Sequence, residues 1–239
     1  MPQDYFQFKQ FSVYQKGATL KICTDSCLFG AWVAYQLNDS EKVLDIGSGT
    51  GLLGLMFAQQ NLVAKITGLE IDKVSADLTF LNFQNSPWNN RLVSVNLSIQ
   101  EFVTAGKFKF DSVICNPPFF ENQLLSVKLG NNLAKHSSEL KREELIECVI
   151  SILDEKGVFY VLLPPAEAII FESLANESGL HLSKISKVKN FVDSHHIRYM
   201  MAFEKQKVKL IEEEIFIYST GKAYSDGFKS LLQDYYLYL

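Results

Sequence analysis

Two short stretches hold residues that could do chemistry together. The first is Asn116-Pro117-Pro118-Phe119. Two prolines fix φ and remove two N–H donors, so an amide oxygen and a prolyl carbonyl stand side by side as rigid acceptors. Such a pair suits a planar exocyclic amine conjugated to a base or a carbonyl. The lone pair of that nitrogen is delocalised, and the amine is a poor nucleophile. Holding both of its protons favours a more tetrahedral nitrogen and turns the lone pair outward, toward an electrophile. Positioning and electrostatics carry this chemistry, without a metal or a strong base. Phe119 offers a stacking face for the base, worth ~1–3 kcal/mol. The second stretch is Asp45-Ile46-Gly47-Ser48-Gly49-Thr50-Gly51, with Glu70 further on. Its alternating glycines let the backbone bend sharply and let a ligand come close where a Cβ would collide.

The elements that must position these residues follow from the flanking pattern. Val43, Leu44 and Ile46 form a short apolar run, as in a central parallel strand, and Leu52, Leu53, Leu55, Met56 and Ala58 continue as a helix. The helix N-terminus points its unpaired N–H groups at whatever lies on the glycine turn. Lys65 to Leu69 reads as a second strand, ending at Glu70, where an acid can accept both hydroxyls of a ribose. Phe110 to Cys115 reads as the fourth strand and delivers Asn116. In open α/β sheets ligands bind beyond the carboxyl ends of the strands, so Asn116 and the glycine turn should be neighbours.

The glycine turn supports two readings. Gly49-Thr50-Gly51-Leu52-Leu53-Gly54 fits the dinucleotide pattern G-x-G-x-x-G, with an acid at the expected distance. Asp45, however, would oppose a pyrophosphate and would suit a cation. The order Asp-x-Gly-x-Gly-x-Gly resembles motif I of class I S-adenosylmethionine methyltransferases, whose cofactor carries an ammonium, a sulfonium and a carboxylate.

The rest of the chain is read as one domain, 1–239, with an aromatic arm over 1–22. In the arm Tyr5, Phe6, Phe8, Phe11 and Tyr14 interleave with polar residues. The arm either packs its rings on the main body or closes over a ligand. A helix is predicted from Thr24. Another follows Asp72, which caps it, with Val74, Leu78 and Leu81 turned inward. Leu92 to Val95 is a third strand, with a short helix around Ser98 to Val103. Glu139 to Leu153 and Ala166 to Ser178 read as helices on either side of a fifth strand, Val158 to Leu163. Strands are predicted near Leu182 to Val188, Arg198 to Phe203 and Ile211 to Tyr218, the last two as an antiparallel hairpin. Tyr224 to Tyr236 should close the fold.

Nearly half of the 239 residues are hydrophobic, enough for a substantial core, and the net charge of −4 excludes a strongly basic nucleic-acid binder but leaves room for a basic patch. Lys135, His136, Lys141 and Arg142 cluster after the tetrapeptide, and Lys184, Lys187, Lys189, His195, His196 and Arg198 cluster later. Each cluster reads as a solvated face or as an RNA contact, and Lys9, Lys16 and Lys21 could add phosphate contacts. The N-terminus lacks the pattern of a signal peptide, and no apolar run approaches the ~18 residues of a membrane span. Cys23, Cys27, Cys115 and Cys148 include no C-x-x-C pair, and the histidines lack ligand spacing, so no metal is expected. A cytoplasmic location follows, with a monomer as the working assumption.

Asn-Pro-Pro-Phe beside motif I resembles the amino-methyltransferases, which include N6-adenine and N4-cytosine enzymes and the glutamine methyltransferases of release factors. The resemblance extends along nearly the whole chain to one family. Phe8-Lys9-Gln10-Phe11-Ser12-Val13, Thr24-Asp25 with Leu28-Phe29-Gly30-Ala31-Trp32, Asn82 with Ser86-Pro87-Trp88, Arg91, Asn116 to Phe120 and Lys135-His136 are similar to the bacterial valine-tRNA (adenine-37, N6) methyltransferases. That resemblance implies a Rossmann-like class I fold: a mostly parallel seven-stranded sheet, helices on both faces and an antiparallel edge hairpin. It implies S-adenosylmethionine as cofactor and tRNA as partner. Asp45, Gly47, Gly49 and Gly51 would cradle the methionine part, Glu70 the ribose, and Asn116, Pro117, Pro118 and Phe119 the target adenine. Where the family often has an acid for the amino group of the cofactor's adenine, this chain has Ser98, an acceptor without charge. The other readings are a glutamine-amide methyltransferase, a nucleotide-dependent oxidoreductase, which would leave Asn116 to Phe119 without a task, and an RNA-binding protein without catalysis.

Overall fold

The computed structural model describes residues 4–36, 41–117, 140–221 and 223–239. The chain opens with a small hairpin, β1 (Tyr5–Gln7) and β2 (Ser12–Tyr14), followed by α1 (Thr24–Gln36). Strands and helices then alternate: β3 (Lys42–Ile46), α2 (Leu52–Gln60), β4 (Lys65–Leu69), α3 (Lys73–Gln84), β5 (Leu92–Val95), α4 (Ile99–Ala105) and β6 (Phe110–Cys115). After the undescribed segment come α5 (Arg142–Ile152), β7 (Leu153–Leu163), α6 (Pro165–Glu177), β8 (His181–Lys189), β9 (His196–Glu204), β10 (Ile211–Phe216) and α7 (Asp226–Leu232). The large sheet has the order β10-β8-β9-β7-β6-β3-β4-β5, and only β9 runs against its neighbours.

The central strands bury both faces, so Val43 and Leu44 enter different cores. One core lies between the sheet and α1, α2 and α7, with the hairpin's Phe8, Phe11 and Val13. The other lies under α4, α5 and α6. Buried between helices on both sides, the sheet is the mostly parallel α/β type expected from its apolar runs. Among the described residues, no helix is long and apolar enough to cross a membrane.

The aromatic arm packs on the body. Phe8 stacks on Phe11 at 4.6 Å and is fully buried, and Phe11 meets the Trp88 ring edge-on at 5.7 Å. The Lys9 N–H donates to the Tyr235 carbonyl at 2.8 Å, and the Lys9 ammonium to that of Gln233 at 2.5 Å. The Tyr235 hydroxyl in turn reaches the Met56 carbonyl of α2 at 2.9 Å.

Two details differ from expectation. The large sheet has eight strands, not seven. The antiparallel hairpin joins β8 to β9, while β10 runs parallel to β8 on the outer edge instead of pairing with β9. Both edges of β9 are taken, by β7 and β8, so β10 joins the free edge of β8, and charge sets its register there. Glu212 and Glu214 on one face of β10 meet Lys187 at 2.7 Å and Lys189 at 3.2 Å. Glu213 on the other face meets Lys184 at 2.9 Å. A one-residue slip would reverse both faces and place each acid away from its lysine.

Candidate active site

The site is built at the carboxyl ends of three adjacent strands. Ile46 of β3 is level with Leu69 of β4 on one side and Cys115 of β6 on the other. The next residues, Glu70, Gly47 and Asn116, therefore leave the sheet side by side, so Glu70 and Asn116 stand about 10 Å apart at the usual strand spacing. Asn116 is half-buried and Pro117 buried. Pro118 and Phe119 lie outside the described residues, as do Lys135 and His136.

Between Asp45 and α2 the chain turns through Gly47, Gly49 and Gly51, with φ of +69°, +58° and +76°. This left-handed region is open to glycine and costly for most other residues. The strand ends hold the turn from below, since the N–H groups of Gly47 and Ser48 both donate to the Leu69 carbonyl, at 2.8 and 3.0 Å. Glu70 holds it from the side. Its Oε2 accepts the Gly49 N–H at 2.9 Å and its Oε1 the Asp72 N–H at 2.9 Å. Each carboxylate oxygen has a second lone pair, so Glu70 can shape the loop and still accept two further donors.

Asp45 is completely buried at the start of α2. Oδ2 accepts the Gly54 N–H at 3.2 Å, and Oδ1 has no hydrogen-bond partner among the described residues. Burial, with the charge of Glu70 adding to it, pushes the carboxyl up to about 7, against the Gly54 N–H, which lowers it. A buried acceptor without a partner is costly, so the site is suited to a ligand that brings a cation or a donor to this oxygen. Beside it, burial and the charges of Asp45 and Glu70 raise the Cys115 thiol, which is an inert part of the core.

A third wall is absent from the sequence reading. Val74, Leu78 and Leu81 of α3 were expected to face inward, but Val74 and Leu81 are exposed and Leu78 is half-buried. The inward face is Ser75, Ala76, Thr79, Asn82 and Phe83. The Thr79 hydroxyl donates to the Gly49 carbonyl at 3.0 Å and lies 3.0 Å from the Ser48 hydroxyl. Nδ2 of Asn82 donates to the Thr50 carbonyl at 2.8 Å. A Cβ on Gly51 would lie 2.7 Å from the Phe83 ring, so the glycine also provides the space that the ring fills. The helix packs on polar loop backbone, and a polar face satisfies it where an apolar one would not. The spacing of 75, 76, 79, 82 and 83 is that of one helical face, but three of the five are polar, so the spacing does not mark that face as the inward one.

Other predicted residues have different surroundings. Ser98 caps α4: its hydroxyl accepts the Glu101 N–H at 3.1 Å and donates to the Glu101 carboxylate at 2.8 Å. One lone pair of that oxygen remains for a ligand. Arg142 ties α5 to α6 through Glu167, a pair that is largely buried. Arg198 meets Asp25 of α1 at 3.0 Å, and His196 lies 2.9 Å from Glu214. Lys184, Lys187 and Lys189 are matched by the acids of β10, so this later cluster is not a naked positive patch.

The comparisons with known proteins agree with this geometry. Residues 31–150 match the family model of the methyltransferase small domain. The tRNA1(Val) (adenine(37)-N6)-methyltransferase of Cytophaga hutchinsonii is 37% identical, with 100% of both chains covered. The protein of the same name from Dyadobacter fermentans is 36% identical, with 99% of both covered. In fold, the chain is similar to a predicted O-methyltransferase from Agrobacterium tumefaciens, with a TM-score of 0.71, 17% identity, and 88% of this chain and 96% of that one covered. A glycine turn walled by Asp45 and Glu70, full-length likeness to these relatives and a shared fold lead to one conclusion: the chain belongs to the tRNA1(Val) (adenine(37)-N6)-methyltransferase family.

Proposed function

We propose that this protein transfers a methyl group from S-adenosylmethionine to the N6 amino group of an adenine in tRNA, with adenine 37 of valine tRNA as the target that its relatives' names specify. When bound, the cofactor supplies a methyl group activated on a sulfonium. The residues present fit it. The unpartnered Oδ1 of Asp45 and the turn's backbone suit its methionine end, and Glu70 its ribose. Ser98 has one lone pair left for the adenine amine of the cofactor.

The observation that carries the reading is the adjacency of Asn116 to Gly47 across β6 and β3. An adenine reaching this edge must leave its stack in the tRNA loop. Oδ1 of Asn116 then accepts one N6 proton and the Pro117 carbonyl the other, with Phe119 stacked on the ring. The amine is held with its lone pair directed toward the cofactor side of the site. No residue needs to remove a proton beforehand, because the methylated amine becomes acidic and releases one to water afterwards. The deciding experiment is to incubate the protein and S-adenosylmethionine with bulk tRNA from cells lacking it, then to analyse nucleosides by mass spectrometry. N6-methyladenosine at position 37 of valine tRNA is expected. Methylation of a release-factor glutamine instead, in a parallel reaction, would overturn the choice of substrate.

A further inference from the structure

Asn82 lies in the middle of the inward face of α3, completely buried, and every polar atom of its amide is used. Oδ1 accepts the Tyr14 N–H at 2.8 Å, while Nδ2 donates to the Tyr14 carbonyl at 2.9 Å and to the Thr50 carbonyl at 2.8 Å. The first two bonds give β2 what a neighbouring strand would give, since one residue of a strand turns its N–H and its C=O to the same side. The third falls on the glycine turn. The Thr50–Gly51 peptide is thereby held at both ends, because the Gly51 N–H donates to the Ser48 carbonyl at 2.7 Å. The preceding peptide is held at its carbonyl by Thr79.

We infer that Asn82 is a positioning residue for the cofactor, and that through it the N-terminal hairpin is a working part of the cofactor site. The inference rests on the S-adenosylmethionine reading. A turn with three glycines has peptide planes that rotate at little cost, and each rotation moves an N–H away from the ligand. Pinning the planes from behind preorganises the turn, so less freedom is lost on binding. The pin needs a fixed anchor. The hairpin supplies it, because Phe8, Phe11 and Val13 are seated in the core independently of α3's amide. Without Asn82, the Thr50 carbonyl and both backbone groups of Tyr14 lose their partners together.

Two variants separate the parts. Asn82→Ala breaks the link at the helix. Tyr14→Pro breaks it at the hairpin, removing an N–H that faces away from β1 at an edge where proline is tolerated. Val149→Ala, at α5 in the other core, away from the hairpin and its seat, serves as a control for loss of stability alone. Calorimetry with S-adenosylmethionine and with its demethylated product should show about five- to thirtyfold weaker binding for Asn82→Ala, and a smaller loss for Tyr14→Pro. The KM for S-adenosylmethionine should rise in both while kcat at saturating cofactor holds, as when binding common to ground and transition states is removed. Amide hydrogen exchange at Gly49 to Gly51 in the ligand-free protein should quicken in both and not in Val149→Ala. If Asn82→Ala fails to fold, Tyr14→Pro carries the test. Wild-type affinity and exchange in the folded variants, or an equal loss in Val149→Ala, would overturn the inference alone. A wild type that does not bind S-adenosylmethionine would overturn it together with the cofactor reading.

Discussion

Asp45 is a carboxyl group whose charge depends on what is bound beside it. Its folded value of about 7 lies above the ordinary 3.8, so between these values the unfolded chain has lost a proton that the folded chain keeps. Stability therefore falls as pH rises from about 4 to about 7 and is flat above, by proton linkage. A cationic ligand prefers the ionised form and reverses the trend in its own binding. Affinity for S-adenosylmethionine is expected to rise from pH 5.5 to 7, with a proton released on binding near pH 6. Calorimetry in buffers of different ionisation enthalpy counts that proton, and Asp45→Asn should abolish both effects. At the other side of the turn, Asn116→Ala removes one of the two acceptors offered to the target amine. Single-turnover assays at saturating cofactor and tRNA should show a rate lower by about 100- to 1,000-fold, with cofactor affinity unchanged. A near wild-type rate would remove the proposed mechanism.

At the scale of elements, α3 and the glycine turn form one unit. Gly51→Ala introduces a side chain at φ +76° and places its Cβ 2.7 Å from Phe83. The strain alone costs about 1–3 kcal/mol, and the ring contact adds to it. Phe83→Leu in the same chain should relieve the contact but not the strain, so urea denaturation of the double variant should recover only part of the loss. The strands, the turn and Glu70 were legible in the sequence because they follow local rules: an apolar run, spaced glycines, an acid at a strand end. The capping of α4 went unread, although Ser98-Ile99-Gln100-Glu101 has the spacing of a capping box. The facing of α3 was not legible. Its apolar residues suggested one side, and only the position of the loop backbone decides for Thr79, Asn82 and Phe83. The placement of β10 was hidden for the same reason, because the edge left free for it depends on β9 pairing with both β7 and β8.

For the whole molecule, a net charge of −4 must be reconciled with a polyanionic substrate. The lysines of β8 are neutralised by their acids, so substituting Lys187 and Lys189 by alanine should leave the salt dependence of tRNA binding unchanged. Stability should change little for each of these partly exposed pairs. Lys141, exposed at the start of α5, is different. Its neutralisation should lower the slope of log affinity against log salt by about one. Filter binding across a salt series checks both expectations. An unchanged slope for Lys141→Ala would move the RNA-binding surface elsewhere.

The seat of Lys9 on Gln233 joins residues 224 positions apart. During synthesis, the hairpin leaves the ribosome long before the segment that receives it exists. Its rings can already meet Trp88 and one another, but the bonds of Lys9 wait until Gln233 and Tyr235 emerge. The hairpin also bears on the glycine turn through Asn82, so the turn becomes fully braced only when translation has passed these residues. A stalled or prematurely terminated chain can form much of the sheet and yet hold its cofactor poorly. Calorimetry should show weaker binding of S-adenosylmethionine by a chain truncated before Gln233 than by the 239-residue chain.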